Sequence, residues 1–253
     1  MYRDPADGLE VSRIRIAALA DDARLLIAAT VVPFAFGGFA ILPTAEALAL
    51  ALALYGTAGV AVVYFAARAG VLRRFGPANQ VTWLRVALTA AVAGALAETD
   101  RPELVNWWII GALAGLALAL DGVDGWLARR NAQSSAFGAR FDMEIDAALI
   151  LVLSLLIGLS GKTGMWIVAA GALRYLFAMA GWIWPALTQS LPPSRLRRAV
   201  CAIQVGALLA CLLPVVNGLA ATVIGGAALA ILCFSFARDI LWLVAAPINR
   251  NPV

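Results

Sequence analysis

LALDGVDGWLARRNAQSSAFGARFDMEIDA, residues Leu118 to Ala147, sets five carboxylates between two runs of apolar sequence. Asp121, Asp124, Asp142, Glu144 and Asp146 make up a third of the 15 acidic residues in the chain. Acidic side chains next to a membrane are costly unless a partner holds them, so their presence points to function. Side chains that offer only oxygen suit hard cations such as Mg²⁺ and Mn²⁺. The flanking runs say what kind of protein carries this window, and the window says what the protein does.

Outward from it, 63% of the 253 residues are hydrophobic and 13% are charged, which excludes an ordinary soluble domain. The apolar residues fall in runs long enough to cross a bilayer. Eight spans are expected, at about 25–42, 48–67, 81–97, 105–127, 141–159, 165–187, 199–216 and 220–237. The runs are rich in Ala and Leu and break at Pro, Gly and charge. That pattern predicts helices; barrel strands would need alternation over about ten residues.

With a cytoplasmic N-terminus and eight spans, sixteen of the 19 basic residues fall on the cytoplasmic side. Only Arg101 and Lys162 fall opposite, and Arg174 lies inside a span. This is a strong positive-inside bias. A miscount by one span would erase it, so count and orientation support each other. The acidic window then lies at the cytoplasmic face of an inner (cytoplasmic) membrane.

The expected fold is all-α: a polytopic membrane helical bundle with a six-helix catalytic core preceded by two additional transmembrane helices. Residues 1–24 are polar and mixed, and lack the apolar stretch of a cleavable signal peptide. Residues 25–76 form a hairpin around LPTAEA and a basic connector, and the two spans carry no internal charge. Residues 77–253 hold every ionisable group expected inside the bundle. Cys201, Cys211 and Cys233 are scattered and give neither a disulfide framework nor a zinc site. The chain has no His, which excludes Ser-His-Asp and Cys-His catalysis and His-ligated metals. Trp107, Trp108, Trp166, Trp182 and Trp184 lie near span ends, where an interfacial belt is expected. Gly111-Ala-Leu-Ala-Gly115 offers a small face for close helix approach.

Asp121 and Asp124 are three residues apart at the end of one span, on one helix face about 60° apart. Asp142 and Asp146, four apart, share a face at the start of the next. A short connector, Arg129 to Ala139, joins the two helices. Where they meet, four like charges in a low dielectric repel unless cations neutralise them. Two divalent ions would do so and leave positions open for a diphosphate. Gly122, Gly125 and Ala128 leave room against the helix, Gly138 permits close backbone approach or starts the next helix, and Arg129 suits a bidentate phosphate contact. Glu144 lies about 160° from Asp146 around the helix and is expected to be solvated or paired with Arg.

The pattern Asp121-x2-Asp124-Gly125-x2-Ala128-Arg129-x8-Gly138-x3-Asp142-x3-Asp146 resembles the motif of the CDP-alcohol phosphotransferases, position for position. Upstream, Pro77-Ala-Asn79-Gln-Val-Thr82-Trp-Leu-Arg85 looks like the PNxLTxxR stretch that opens the first core helix of that family. It has one extra residue before Asn79, and Val81 stands in place of Leu. The resemblance implies transfer of a phosphate-linked group from a CDP-alcohol to a second alcohol, with release of CMP and two divalent cations, Mg²⁺ or Mn²⁺. It implies that Asp121, Asp124 and Asp142 bind metal, and that Asp146 both helps hold metal and acts as general base. Asn79, Thr82, Gly125, Ala128, Arg129 and Gly138 would bind the CDP-alcohol. A homodimer in membrane lipid is implied as well, and no nucleic-acid partner is expected.

For the acceptor, Arg174 lies inside the sixth span, and Leu191-Pro-Pro-Ser194-Arg195-Leu-Arg197-Arg198 opens the seventh. An Arg in a membrane is expensive and needs a partner. Arg174, Arg195 and Arg198 are the candidate ligands of a phosphorylated acceptor such as glycerol 3-phosphate or inositol phosphate. Flanking topogenic charge, with a neutral acceptor, is the other reading. Two other functions fit part of the pattern. A prenyl-type transferase also uses Asp clusters with Mg²⁺, but its clusters are DDxxD-like. A divalent-cation transporter would need carboxylates near mid-bilayer on several spans.

Overall fold

The computed structural model describes residues 42–69, 77–130, 136–184, 187 and 194–245. Among them are seven α-helices and no strand: α1 (Ala45–Arg68), α2 (Pro77–Gly94), α3 (Trp107–Arg130), α4 (Ala136–Leu159), α5 (Ala169–Ile183), α6 (Arg195–Leu212) and α7 (Gly218–Ala245). The fold is an all-α polytopic bundle. Of the first expected span, 25–42, only Leu42 falls among the described residues, as do none of residues 1–24. The seven helices correspond to the other seven spans.

Four stretches are long and apolar enough to cross a bilayer: Ala45–Arg68, Ala78–Glu98, Met165–Ile183 and Gly218–Val244. The apolar part of α3 runs from Trp107 to Val123 and ends in the acidic window. The outward surface is the kind lipid solvates. Val60, Trp182, Leu219 and Leu241 are each more than two-thirds exposed, a surface that in water would drive association. The chain is an integral membrane protein.

Several span boundaries differ from expectation. α6 begins at Arg195 rather than 199, because Ser194 caps it: the Ser194 Oγ accepts from Arg197 N at 3.4 Å. The helix stops at Leu212, since the residue before Pro214 is driven out of helical geometry and Leu213 is extended (φ −64°, ψ 141°). The last helix continues past 237 to Ala245, and Arg238 and Asp239 are carried within it as an ion pair at 3.2 Å. The sixth span splits into a 3₁₀ turn, Met165–Val168, and α5.

The helices group into two compact units, Met1–Ala97 with Leu116–Ile145, and Glu98–Gly115 with Asp146–Val253. In the first, α1 packs along α2. Thr44 caps α1 by accepting from Ala47 N at 3.2 Å. At one end of the pair a Cβ on Gly94 would lie 2.8 Å from the Ala47 carbonyl oxygen; further along, one on Gly59 would lie 3.1 Å from the Trp83 ring. These glycines let the helices close together. Between them Tyr55 and Trp83 are buried with ring centroids 5.3 Å apart. The core adds Leu42, Ala51, Val86, Ala87 and Ala90, with Phe141 and Ile145 from α4. The α2 stretch is the least apolar of the four, with mean hydropathy 1.3, yet 61% buried against 11% for α1. It is the inner helix of this unit, and it carries Thr82 and Arg85.

In the second unit, α5 crosses α4 where Gly171 meets Leu151; an added Cβ would lie 2.4 Å from the Leu151 Cα. The Gly111 and Gly115 face expected to admit a helix does so. Added Cβ atoms there would meet Leu213 Cδ2 at 2.8 Å and Leu209 Cδ2 at 3.5 Å on the α6 side. Lys162, in the loop after α4, closes the far end of α6. Its Nζ donates to the carbonyls of Cys211, Leu212 and Leu213 at 3.2, 3.1 and 2.6 Å. These are carbonyls a helix end leaves without partners, and a cation suits the negative pole there. Burial lowers the pKa of Lys162 below the usual lysine value.

Candidate active site

The site is built around Arg85. It lies on α2 three residues after Thr82, on the same face, and only 1% of its surface is exposed. Thr82 is buried too, and its hydroxyl donates to the Ala78 carbonyl at 3.1 Å. Burying a guanidinium this deeply is expensive unless its donors are engaged, and two neighbouring helices engage them. The Nε donates to the Ala117 carbonyl of α3 at 3.1 Å. The Nη1 lies 3.3 Å from Asp121 Oδ1, one turn further along α3. It also pairs with Asp142 Oδ1 on α4. Asp121 and Asp142 keep 39% and 37% of their side-chain surface exposed, so the cluster opens outward from a buried cation.

Asp146 follows Asp142 by one helical turn. Both lie within α4, which runs unbroken from Ala136 to Leu159. Asp121, Asp142 and Asp146 each offer a carboxylate oxygen, and these atoms lie within 4.8 Å of one another. At that spacing two full charges repel by about 3–4 kcal/mol at an effective dielectric near 20. Arg85 brings one positive charge to this cluster, through Asp121 and Asp142. An all-oxygen donor set at this separation fits a hard divalent cation.

The other expected residues divide into three groups. Asp124, Gly125, Ala128 and Arg129 lie in α3, which carries Asp124 one turn beyond Asp121, but their side chains are outside the described part, as is that of Arg195 in α6. Asn79 sits half-buried in the first turn of α2, and Gly138 half-buried one turn before Asp142. Glu144 is exposed and stands outside the carboxylate cluster. On the basic side, Arg174 is half-buried in α5 with its Nε enclosed, and Arg198 is exposed.

Two charged residues make contacts that the sequence reading does not assign. Arg85 stands there among the topogenic charges and as the Arg of the PNxLTxxR-like stretch, with no acid named for it. Its signal is that it sits inside VTWLRVALTAAV with apolar sequence on both sides, a place where an Arg needs an acid. Asp239 is the second. It binds Arg197 at 3.6 Å and Arg238 at 3.2 Å, and Arg238 donates to Ser194 Oγ at 3.5 Å. Arg197 is thus held in an ion-pair network between α6 and α7.

No solved structure matches the chain. A family model described as CDP-alcohol phosphatidyltransferase matches residues 75–244. The match takes in α2 through all but the last residue of α7, with Arg85 and the three clustered aspartates inside it. This family is divalent-metal dependent, in keeping with the donor set. On that match the chain belongs to the CDP-alcohol phosphatidyltransferase family.

Proposed function

We propose that this protein transfers a phosphatidyl group from CDP-diacylglycerol to an acceptor alcohol, releasing CMP, as a step of phospholipid synthesis. The observation that supports this best is the convergence of Asp121, Asp142 and Asp146 beside Arg85 within the span matched by the family. Neither a DDxxD-type prenyl transferase nor a cation transporter accounts for that match.

In this reading the acceptor oxygen bonds to the lipid-bearing phosphorus. The phosphoanhydride bond breaks, CMP leaves with its electron pair, and Asp146 takes the acceptor proton. Two divalent ions, Mg²⁺ or Mn²⁺, held by Asp121, Asp124, Asp142 and Asp146, would neutralise the diphosphate and acidify the acceptor hydroxyl. Phosphoryl transfer depends mainly on such positioning and charge neutralisation. Asn79, Thr82, Gly125, Ala128, Arg129 and Gly138 bind the CDP-alcohol, and Arg174, Arg195 and Arg198 bind a phosphate on the acceptor. The core is residues 77–253, preceded by a hairpin at 25–76 and an N-terminal segment at 1–24. The protein works as a homodimer in the cytoplasmic membrane, and the positive-inside distribution of Arg supports a cytoplasmic active site.

The test is CMP release by the purified protein in lipid nanodiscs. CDP-diacylglycerol is supplied with Mn²⁺ or Mg²⁺ and a pool of candidate acceptors, and the lipid products are identified by mass spectrometry. CMP release that requires both the metal and an acceptor is expected. No CMP with any acceptor, or undiminished release in chelator, overturns the reading.

A further inference from the structure

We propose that Arg85 is the resident counter-cation of the carboxylate site, the group that keeps the site assembled when no divalent ion is bound. The proposal rests on the metal-site reading above, but its central test needs no metal.

Three observations carry it. Among the described residues of its unit Arg85 is the most enclosed charge, at 1% exposure, so it does not leave for solvent. Its Nε bond to the Ala117 carbonyl fixes the guanidinium independently of the acids. Its Nη1 meets carboxylates from two different helices, Asp121 of α3 and Asp142 of α4. An Arg stays charged at any pH the protein meets. The cluster therefore always has one cation at its base, whatever the supply of metal. Lys would serve poorly, because a point charge cannot bridge two acids while bonding a carbonyl through a separate nitrogen. The consequence concerns metal loading. Ions arrive at a site whose two walls are already tied together, and α3 and α4 need no metal to stay in register. Arg85 is a positioning residue: it acts through Asp121 and Asp142.

The experiment is thermal unfolding of full-length protein in detergent, in chelator and again in Mn²⁺, for wild type, Arg85→Gln, Arg85→Lys and the double variant Arg85→Gln with Asp142→Asn. Breaking a buried ion pair from one side is strongly destabilising, so Arg85→Gln should lose roughly 5 °C or more in chelator. Mn²⁺ should restore most of that loss, giving an ion-induced shift about twice that of wild type or larger. Arg85→Lys should fall between the two. Removing one negative charge in the double variant should cut the chelator loss by about half. No loss for Arg85→Gln in chelator overturns the proposal. So does a loss that neither Mn²⁺ nor Asp142→Asn relieves, including failure to fold under both conditions, because Arg85 is then a helix staple unrelated to the charge. If Mn²⁺ shifts no variant while Asp142→Asn still relieves the loss, Arg85 keeps its role and the metal reading fails.

Discussion

The indole Nε1 of Trp83 donates to the hydroxyl of Tyr55 at 3.0 Å, in a buried contact that joins α1 to α2. Trp83 stands two residues before Arg85, so the bond fixes the inner helix close to the candidate active site from its outer side. Tyr55→Phe keeps the ring and removes the acceptor, leaving an indole N–H buried in an apolar contact. Such a loss costs about 1–3 kcal/mol. The variant should melt several degrees below wild type in detergent while its CMP release at low temperature stays within about twofold. A melting point equal to that of wild type would mean the ring contact alone ties the two helices.

Asp121→Ala and Asp142→Ala should each reduce CMP release to background, because either change takes a ligand from a set whose oxygens lie within 4.8 Å. Chelator should do the same to the wild type, and excess Mn²⁺ should reverse it. Both variants should still be recovered as folded membrane protein, since both residues keep over a third of their side-chain surface exposed. Full turnover in either variant is the result that dismisses the site.

Asp146→Asn separates ligand from base. The amide keeps the size of the side chain and removes its capacity to take a proton. Transfer should fall by about 10²-fold or more, the usual scale for a positioned base, while affinity for a CDP-alcohol stays within a few-fold, read by competition with a labelled cytidine nucleotide. If affinity falls as far as in Asp121→Ala, Asp146 serves chiefly to hold metal.

The helical class and the pairing of Asp121 with Asp142 and Asp146 are legible in the sequence, for a physical reason. Spacings of three and four fix which side chains share a helix face, and carboxylates set between apolar runs must be held by a cation or a hydrogen-bonding partner. Arg85 is not legible in that way. Its partners are 36 and 57 residues downstream, counted from Asp121 and Asp142, and an Arg near a span end looks the same whether it marks topology or holds acids. Hydropathy puts the start of α6 too late because it rises only after Arg198, whereas the helix begins where Ser194 can cap it. Asp239 stays hidden because it adjoins Arg238, and nothing local reveals that it also reaches Arg197.

Gly171 and Gly206 make a matched pair. A Cβ on Gly171 would fall 2.4 Å from Leu151 Cα and 2.9 Å from its backbone N, and backbone cannot rotate away as a side chain can. Gly171→Ala should push α5 off α4 at a cost of about 1–3 kcal/mol. Nothing lies within 4 Å of a Cβ on Gly206 in α6, so Gly206→Ala should be neutral or stabilising by up to about 1 kcal/mol, the helix preference for Ala over Gly. Melting curves in one detergent would compare them. Equal effects of the two changes would contradict the close α4–α5 crossing.

The basic residues of α5 and α6 offer a test of whether the acceptor carries a phosphate. Arg197 is committed to Asp239, while Arg198 is exposed and Arg174 is half-buried. An acceptor phosphate would draw on Arg198 through a charge-assisted contact, worth roughly 1.5–3 kcal/mol. Arg198→Ala should then raise the acceptor KM by about 10- to 150-fold and leave the CDP-alcohol KM nearly unchanged. Arg197→Ala is the contrast: it breaks an ion pair between α6 and α7, so it should lower the melting temperature without that split in KM. A neutral acceptor such as serine or inositol has no phosphate to lose, and Arg198→Ala would leave its KM alone. An acceptor KM unmoved in Arg174→Ala, Arg195→Ala and Arg198→Ala alike would remove the phosphate pocket and leave these residues as charge at the membrane surface.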